Sequence, residues 1–210
     1  MTNKAARDIG LDVFYPIVPD SEWLRRIVPL GVRTVQLRAK DMSEDELRRQ
    51  IAEGLEICAA HNCQLIINDF WQLAIEAGAD FVHLGQEDLA EANLEAIKKA
   101  GLKLGVSTHS HEELDVAIGA KPDYVALGPV YETKLKEMPW APQGLGRVTD
   151  WKQKVGDLPL VGIAGITIER ADVVITAGAQ SVAVITDFFV HPQPEHRIEQ
   201  WLEWATTHRP

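Results

Sequence analysis

Two residues of 210 are cysteine, Cys58 and Cys63. Their spacing fits neither a zinc motif nor a disulfide framework, so reduced thiols in a cytoplasmic protein are expected. No apolar stretch is long enough to span a bilayer, and Met1 to Gly10 is polar and mixed in charge, with no apolar signal core. Excess positive charge is also missing. The formal net charge is −10, which disfavours nucleic acid and anionic membrane as partners. An anionic small molecule would need local positive charge, for which Arg38, Lys40, Lys134 and Lys136 are the candidates. The dinucleotide fingerprint G-x-G-x-x-G does not follow the first apolar run, and there is no low-complexity linker.

What is present is a regular alternation. Short β-branched runs lie at Asp12–Ile17, Arg33–Leu37, Gln64–Ile67, Phe81–Leu84, Lys103–Val106, Tyr124–Leu127, Leu160–Ile163 and Ser181–Ile185. Nearly continuous apolar runs are expected of parallel strands covered by helices. Capping boxes open helices at Ser43-Glu44-Asp45-Glu46 and Ser110-His111-Glu112-Glu113. Gly78, Gly101, Gly119 and Gly178 read as helix ends. Eight β/α units in one chain predict an α/β fold, a (β/α)₈ TIM barrel spanning 1–210 as a single domain. Residues 1–10 read as a flexible N-terminal segment, and an open doubly wound sheet is the alternative. The longest irregular stretch, Val130 to Arg147, holds Pro139, Pro142, Gly144 and Gly146. It follows the sixth strand, and a loop of that length is usually a lid or binding loop.

In a parallel barrel all C-terminal strand ends open on one face, and the unusual polar groups fall there. The second strand ends with Gln36, Arg38 and Lys40, the third with Asn68 and Asp69. The fourth contributes His83, Gln86 and Asp88, the fifth Ser107, Thr108 and His109. The sixth leads to Thr133, Lys134 and Lys136, the seventh ends at Ala164-Gly165, and the eighth at Ile185-Thr186. Carboxylates on neighbouring strand ends can hold Mg²⁺ together with substrate phosphate, and Arg or Lys beside them meets the remaining charge. A second anion would fit near the last two strands, where Gly165 allows close backbone approach.

Blander readings stand beside these. Asp69 begins Asp-Phe-Trp-Gln, which also fits a helix N-cap. Asp88 could be a solvated loop acid, and Arg38, Lys40 and Lys136 surface charges. Ser107 could simply end a strand, and His109 could be a loop histidine. His83 alternates with apolar neighbours and reads as a hydrogen-bonded core histidine. Trp201 and Trp204 read as packing on the barrel wall, whereas Trp140 could cover a bound ring or shield the loop.

The combination Gln36-Leu37-Arg38-Ala39-Lys40, Ile67-Asn68-Asp69, Val82-His83-Leu84-Gly85-Gln86-Glu87-Asp88-Leu89, Leu104 to His109, Leu127 to Tyr131, Ala141 to Leu145, Ala164 to Thr167 and Val182 to Ile185 resembles the bacterial thiamine-phosphate synthase family, in order and spacing. The resemblance runs from about Asp12 to Phe188. It implies a Mg²⁺-dependent transferase of thiamine biosynthesis that joins hydroxymethylpyrimidine diphosphate to hydroxyethylthiazole phosphate, or to its carboxylated precursor. It implies that Gln36, Leu37, Arg38, Ala39, Lys40 and Asn68 bind the pyrimidine diphosphate and that Asp69 and Asp88 hold the metal. Ser107 and Lys136 would contact the diphosphate. Thr133, Lys134 and Leu135, with Gly165, Ile185 and Thr186, would bind the thiazole phosphate. Arg38, Lys40, Ser107 and Lys136 are the catalytic candidates. The partners implied are these small molecules, and a homo-oligomer is compatible with the sequence.

Three positions depart from the family pattern. Leu135 stands where a threonine is usual, Ala164 where the first of two glycines is usual, and Ile185-Thr186 where Val-Ser is usual. A methyl at 164 is tolerable at negative φ and crowded otherwise. Two rival functions stand beside the synthase. A thiazole tautomerase on a related barrel would place a histidine where Pro129 stands. A non-catalytic binding barrel would have less need of Asp69 and Asp88.

Overall fold

A computed structural model of the chain describes Ala6, residues 9–133 and residues 140–209. Eight strands form a closed barrel in sequence order, each parallel to its neighbours. They are β1 (Phe14–Val18), β2 (Thr34–Leu37), β3 (Gln64–Asn68), β4 (Phe81–Leu84), β5 (Lys103–Thr108), β6 (Tyr124–Leu127), β7 (Leu160–Ile163) and β8 (Ser181–Val184). Closure comes from β1 pairing with β8, with Tyr15 opposite Ala183. That pairing rules out the open sheet. All eight runs read from the sequence are strands, with ends that move by no more than two residues.

The helices among the described residues are α1 (Ser21–Ile27), α2 (Glu44–Ala60), α3 (Trp71–Glu76), α4 (Gln86–Glu91), α5 (Leu94–Lys99), α6 (His111–Gly119), α7 (Gly144–Val155), α8 (Ile168–Thr176), α9 (Thr186–Phe189) and α10 (Pro194–His208). Both capping serines act as expected: Ser43 accepts from the Glu46 amide and Ser110 from the Glu113 amide. Gly78, Gly101 and Gly178 have positive φ just past their helices. Gly119 does not follow α6 as the other three follow their helices; it is the last helical residue, and the left-handed turn falls on Lys121 at φ 55. The stretch after β6 is shorter than the sequence suggests, because Gly144 to Arg147 form the first turn of α7.

The strand alternation divides the apolar residues into two layers. Val35, Leu37, Ala39, Leu65, Ile67, Val82 and Leu84 face the helices and belong to the larger core. Tyr15, Ile17, Ile66, Phe81, Tyr124, Ala126, Val161 and Ala183 fill the barrel interior. Tyr124 fits because Gly105, opposite it in register, has no side chain; a Cβ there would lie 2.2 Å from the Tyr124 ring. Trp201 is fully buried and stacks on Phe14 with ring centroids 5.0 Å apart, the wall packing expected of it. Trp151 is also sealed, and its indole donates to Thr108 Oγ1 at 2.8 Å.

The α2 terminus explains the two cysteines. The Cys63 amide donates to the Cys58 carbonyl at 2.9 Å and the Asn62 amide to Ala59 at 3.4 Å, with Asn62 at φ 53. This is a Schellman turn, which brings the third residue from a helix end against the second residue beyond it. Both positions are cysteine here, and both thiols are free and buried.

Candidate active site

The C-terminal strand ends carry nearly every polar group that the sequence marked. Asp69 follows β3 and takes φ 68, a left-handed conformation that few residues other than Gly, Asn and Asp adopt. It does not cap α3. The Phe70 amide donates to the Asn68 carbonyl and the Trp71 amide to the Asp69 carbonyl, so local backbone bonds meet these donors. Phe70 is the N-cap residue, with no side-chain capping bond. The Asp69 carboxylate is thereby released toward the barrel mouth, where it lies 3.3 Å from Lys40 Nζ.

Asp88 comes from the first turn of α4 and meets the same carboxylate. Burial pushes its carboxyl above the ordinary aspartate range, and the charge of Asp69 and a hydrogen bond with it push further; Lys40 pulls the other way. Two carboxylates this close repel unless a cation or a proton lies between them. No cluster of three or more His, Cys, Asp or Glu suited to a metal exists among the described residues. A pair of carboxylates with room for substrate oxygens suits Mg²⁺, which keeps several ligands from water or phosphate.

Gln36, Asn68 and His83 are buried side chains of the barrel interior or its rim. Gln36 Nε2 donates to the Tyr15 hydroxyl at 2.6 Å. His83 is the hydrogen-bonded core histidine expected: Nδ1 lies 2.7 Å from the Tyr124 hydroxyl and Nε2 2.8 Å from Ser107 Oγ. Burial, reinforced by the Arg38 charge, lowers its pKa to about 4. Ser107 therefore does more than end β5, and the Gln86 amide holds its carbonyl at 2.7 Å. Leu37 and Ala39 are buried against the helices, so only their backbone can serve the mouth. Arg38 is half-buried and Lys40 exposed.

The far side of the mouth is built from backbone. Ala164 has φ 74 and Gly165 φ 67, so the methyl at 164 sits in the unfavourable conformation. Tyr131 donates its amide to the Ala164 carbonyl at 3.1 Å, and Arg170 Nη1 donates to the Gly165 carbonyl at 2.8 Å. A Cβ at 165 would lie 2.5 Å from the Glu132 carbonyl oxygen. Ile185 precedes the short helix α9, whose Asp187 is held by Arg197 and by the Trp201 indole, both at 2.8 Å. A short extra helix after the eighth strand is a recurring part of barrel phosphate sites.

Thr133 is half-buried at the end of the described segment. Lys134, Leu135 and Lys136 lie outside the described residues. His109 is occupied, with Nδ1 2.8 Å from Glu113 Oε2 and its ring stacked on Trp140 at 5.7 Å. A cavity of about 520 Å³ on the opposite face, lined by Arg33, Cys58, Cys63 and Asp80, contains none of these groups. Sequence reading missed Tyr15 and Tyr124 as polar partners, because both sit inside apolar runs.

A closed parallel barrel with its polar groups gathered at the C-terminal mouth is the architecture of a (β/α)₈ barrel enzyme. The family described as thiamine monophosphate synthase matches residues 15–188. A thiamine-phosphate synthase of Rhizobium etli is 59% identical over 192 residues, covering 91% of this chain and 94% of that protein. One of Salmonella typhimurium is 47% identical over 172 residues, 82% of each. The solved structure of a thiamine phosphate pyrophosphorylase from Pyrococcus furiosus shares the fold, with a TM-score of 0.81, 24% identity and coverage of 93% and 96%. The chain belongs to the thiamine monophosphate synthase family. No helix among the described residues is long and apolar enough to cross a membrane.

Proposed function

We propose that the barrel mouth couples hydroxymethylpyrimidine diphosphate to hydroxyethylthiazole phosphate, giving thiamine phosphate and diphosphate. The activity, a transferase of thiamine biosynthesis, follows from the family. The observation that best supports the division of labour is the crowded pair Asp69 and Asp88 with Lys40 beside it. It gives one side of the mouth the charge pattern of a metal-diphosphate site. The opposite side, at Gly165 and Ile185-Thr186, offers backbone to a monophosphate.

Asp69 and Asp88 would hold Mg²⁺, which when bound neutralises charge on the leaving diphosphate. Arg38 and Lys40 would meet the same developing charge, and the resemblance to the family adds Lys136, which lies outside the described residues; removing one such group typically costs about 10²- to 10³-fold in turnover. Ser107 donates to a diphosphate oxygen. Gln36 and Asn68 orient the pyrimidine from buried, fixed positions. Its amino group stabilises the cation that remains as diphosphate departs, so no nucleophilic side chain is needed. Thr133 and Gly165 place the thiazole nitrogen for attack, and that positioning supplies much of the acceleration.

Diphosphate release is the test, with each substrate and Mg²⁺ omitted in turn. Release that needs all three, with thiamine phosphate formed, supports the reading. Release without the thiazole phosphate would make the protein a hydrolase, and no release despite binding of both ligands would make it a binding barrel.

A further inference from the structure

A hydrogen-bonded chain of side chains crosses the barrel interior from Gln36 to Ser107. Gln36 Nε2 lies 2.6 Å from the Tyr15 hydroxyl, which lies 3.0 Å from that of Tyr124. Tyr124 lies 2.7 Å from His83 Nδ1, and His83 Nε2 lies 2.8 Å from Ser107 Oγ. Gln36, Tyr15, Tyr124 and His83 are all buried, while Ser107 stands at the open end.

With the Gln36 amide nitrogen turned to Tyr15, the proton count sets the direction. Each hydroxyl carries one proton, a neutral imidazole one N–H, and an amide nitrogen only donates. Suppose Ser107 donated inward to Nε2. Then Nδ1–H would donate to Tyr124 and Tyr124 to Tyr15. The Tyr15 oxygen would face two donors, Tyr124 and Gln36, and its own proton would have no acceptor among the described residues. A buried donor without a partner is costly. In the opposite direction every proton is placed. Gln36 donates to Tyr15, Tyr15 to Tyr124, Tyr124 to Nδ1, and Nε2–H to Ser107. The Ser107 proton is then the one left over, and it is free to leave the chain.

We infer that this chain is a one-way relay in which the Gln36 amide fixes His83 as the Nε2–H tautomer and turns the Ser107 hydroxyl proton outward to an anion in the mouth. The inference rests on the reading of Ser107 as a diphosphate contact and deepens it. Tyr15, Tyr124 and His83 are positioning residues, and only the two ends of the chain, Gln36 and Ser107, meet substrate. Gly105 is part of the device, because it leaves the space that Tyr124 occupies.

Long-range ¹H–¹⁵N correlation on protein labelled with [¹⁵N]histidine, free of ligand at pH 8, reads the tautomer, and His83→Gln assigns the signal. The expected result is Nε2–H in the wild type. Gln36→Glu places a group that only accepts at the head of the chain, so His83 is expected to switch to Nδ1–H. Adding Tyr124→Phe to Gln36→Glu breaks the chain and should abolish the switch, which separates relay from through-space charge. An Nδ1–H tautomer in the wild type overturns the inference without any variant. So does an unchanged tautomer in folded Gln36→Glu. In turnover, Tyr124→Phe is expected to lower kcat roughly tenfold, short of outright loss of a charge-stabilising donor, with KM for the thiazole phosphate unchanged. Normal turnover in Ser107→Ala would overturn the diphosphate role of Ser107 and the outward donation with it. A wrong tautomer in an otherwise active enzyme would overturn the relay alone.

Discussion

Ala164→Gly is expected to stabilise the protein. Ala164 sits at φ 74, where a side chain costs about 1–2 kcal/mol. Glycine removes that cost but loosens the unfolded chain by about 0.4–1 kcal/mol. The difference leaves a net gain of about 0.5–1 kcal/mol. In a chain of this size each kcal/mol moves Tm by about 2–4 °C, so calorimetry should show a rise of about 1–4 °C. Gly165→Ala is the opposing case. It brings the same left-handed cost at φ 67 and sets a methyl 2.5 Å from the Glu132 carbonyl oxygen and 2.7 Å from Tyr131 Cβ. With overpacking at about 1–3 kcal/mol, and the unfolded-chain term of about 0.4–1 kcal/mol now acting in the alanine's favour, the loss is about 1–4.5 kcal/mol, roughly 2–18 °C. KM for the thiazole phosphate should rise as the Tyr131–Glu132 segment shifts. A lower Tm in Ala164→Gly, or an unchanged one in Gly165→Ala, would refute the strain argument.

Three further outcomes are expected. Asp69→Asn keeps a residue suited to φ 68, so the fold should persist while Mg²⁺-dependent diphosphate release falls about 100-fold or more; an unfolded variant would mean the acid is structural. Lys40→Ala should change Tm by less than the equivalent of about 0.5 kcal/mol, because Lys40 is exposed. Its kcat/KM for the pyrimidine diphosphate should nonetheless fall at least about tenfold, and equal activity would remove Lys40 from the diphosphate site. His83 is neutral when folded, with its pKa lowered to about 4 from about 6.5 unfolded. The unfolded chain then binds the extra proton, so stability is unaffected above pH 6.5 and declines as pH falls from 6.5 toward 4, by up to about 3 kcal/mol. Urea titrations across that window should show a shallower decline in His83→Gln.

The barrel was legible because its strands are continuous apolar runs, and Tyr124–Leu127 or Leu160–Ile163 needed no tertiary information. The mouth was legible because Asp69, Asp88, Arg38 and Lys40 fall at strand ends. Local rules failed where backbone conformation decided the outcome. Asp69 has the sequence of a cap, but its positive φ turns the carboxylate away from the α3 amides. Ala164 carried a question about φ that sequence could pose and only coordinates could answer. Leu37 and Ala39 lie in the segment that marks the site, yet strand alternation sends their side chains to the helix layer. Tyr15 and Tyr124 were invisible as polar groups, since nothing in an apolar run says that two hydroxyls 109 residues apart will meet.

The contact between Gly105 and Tyr124 ties two positions into one heritable unit. Any side chain at 105 needs the ring at 124 to shrink first, and a shrunken ring leaves a void until 105 fills it. Neither route is a single neutral step. Among descendants of this sequence the two positions should therefore change together or remain as they are, even though no substrate touches either one.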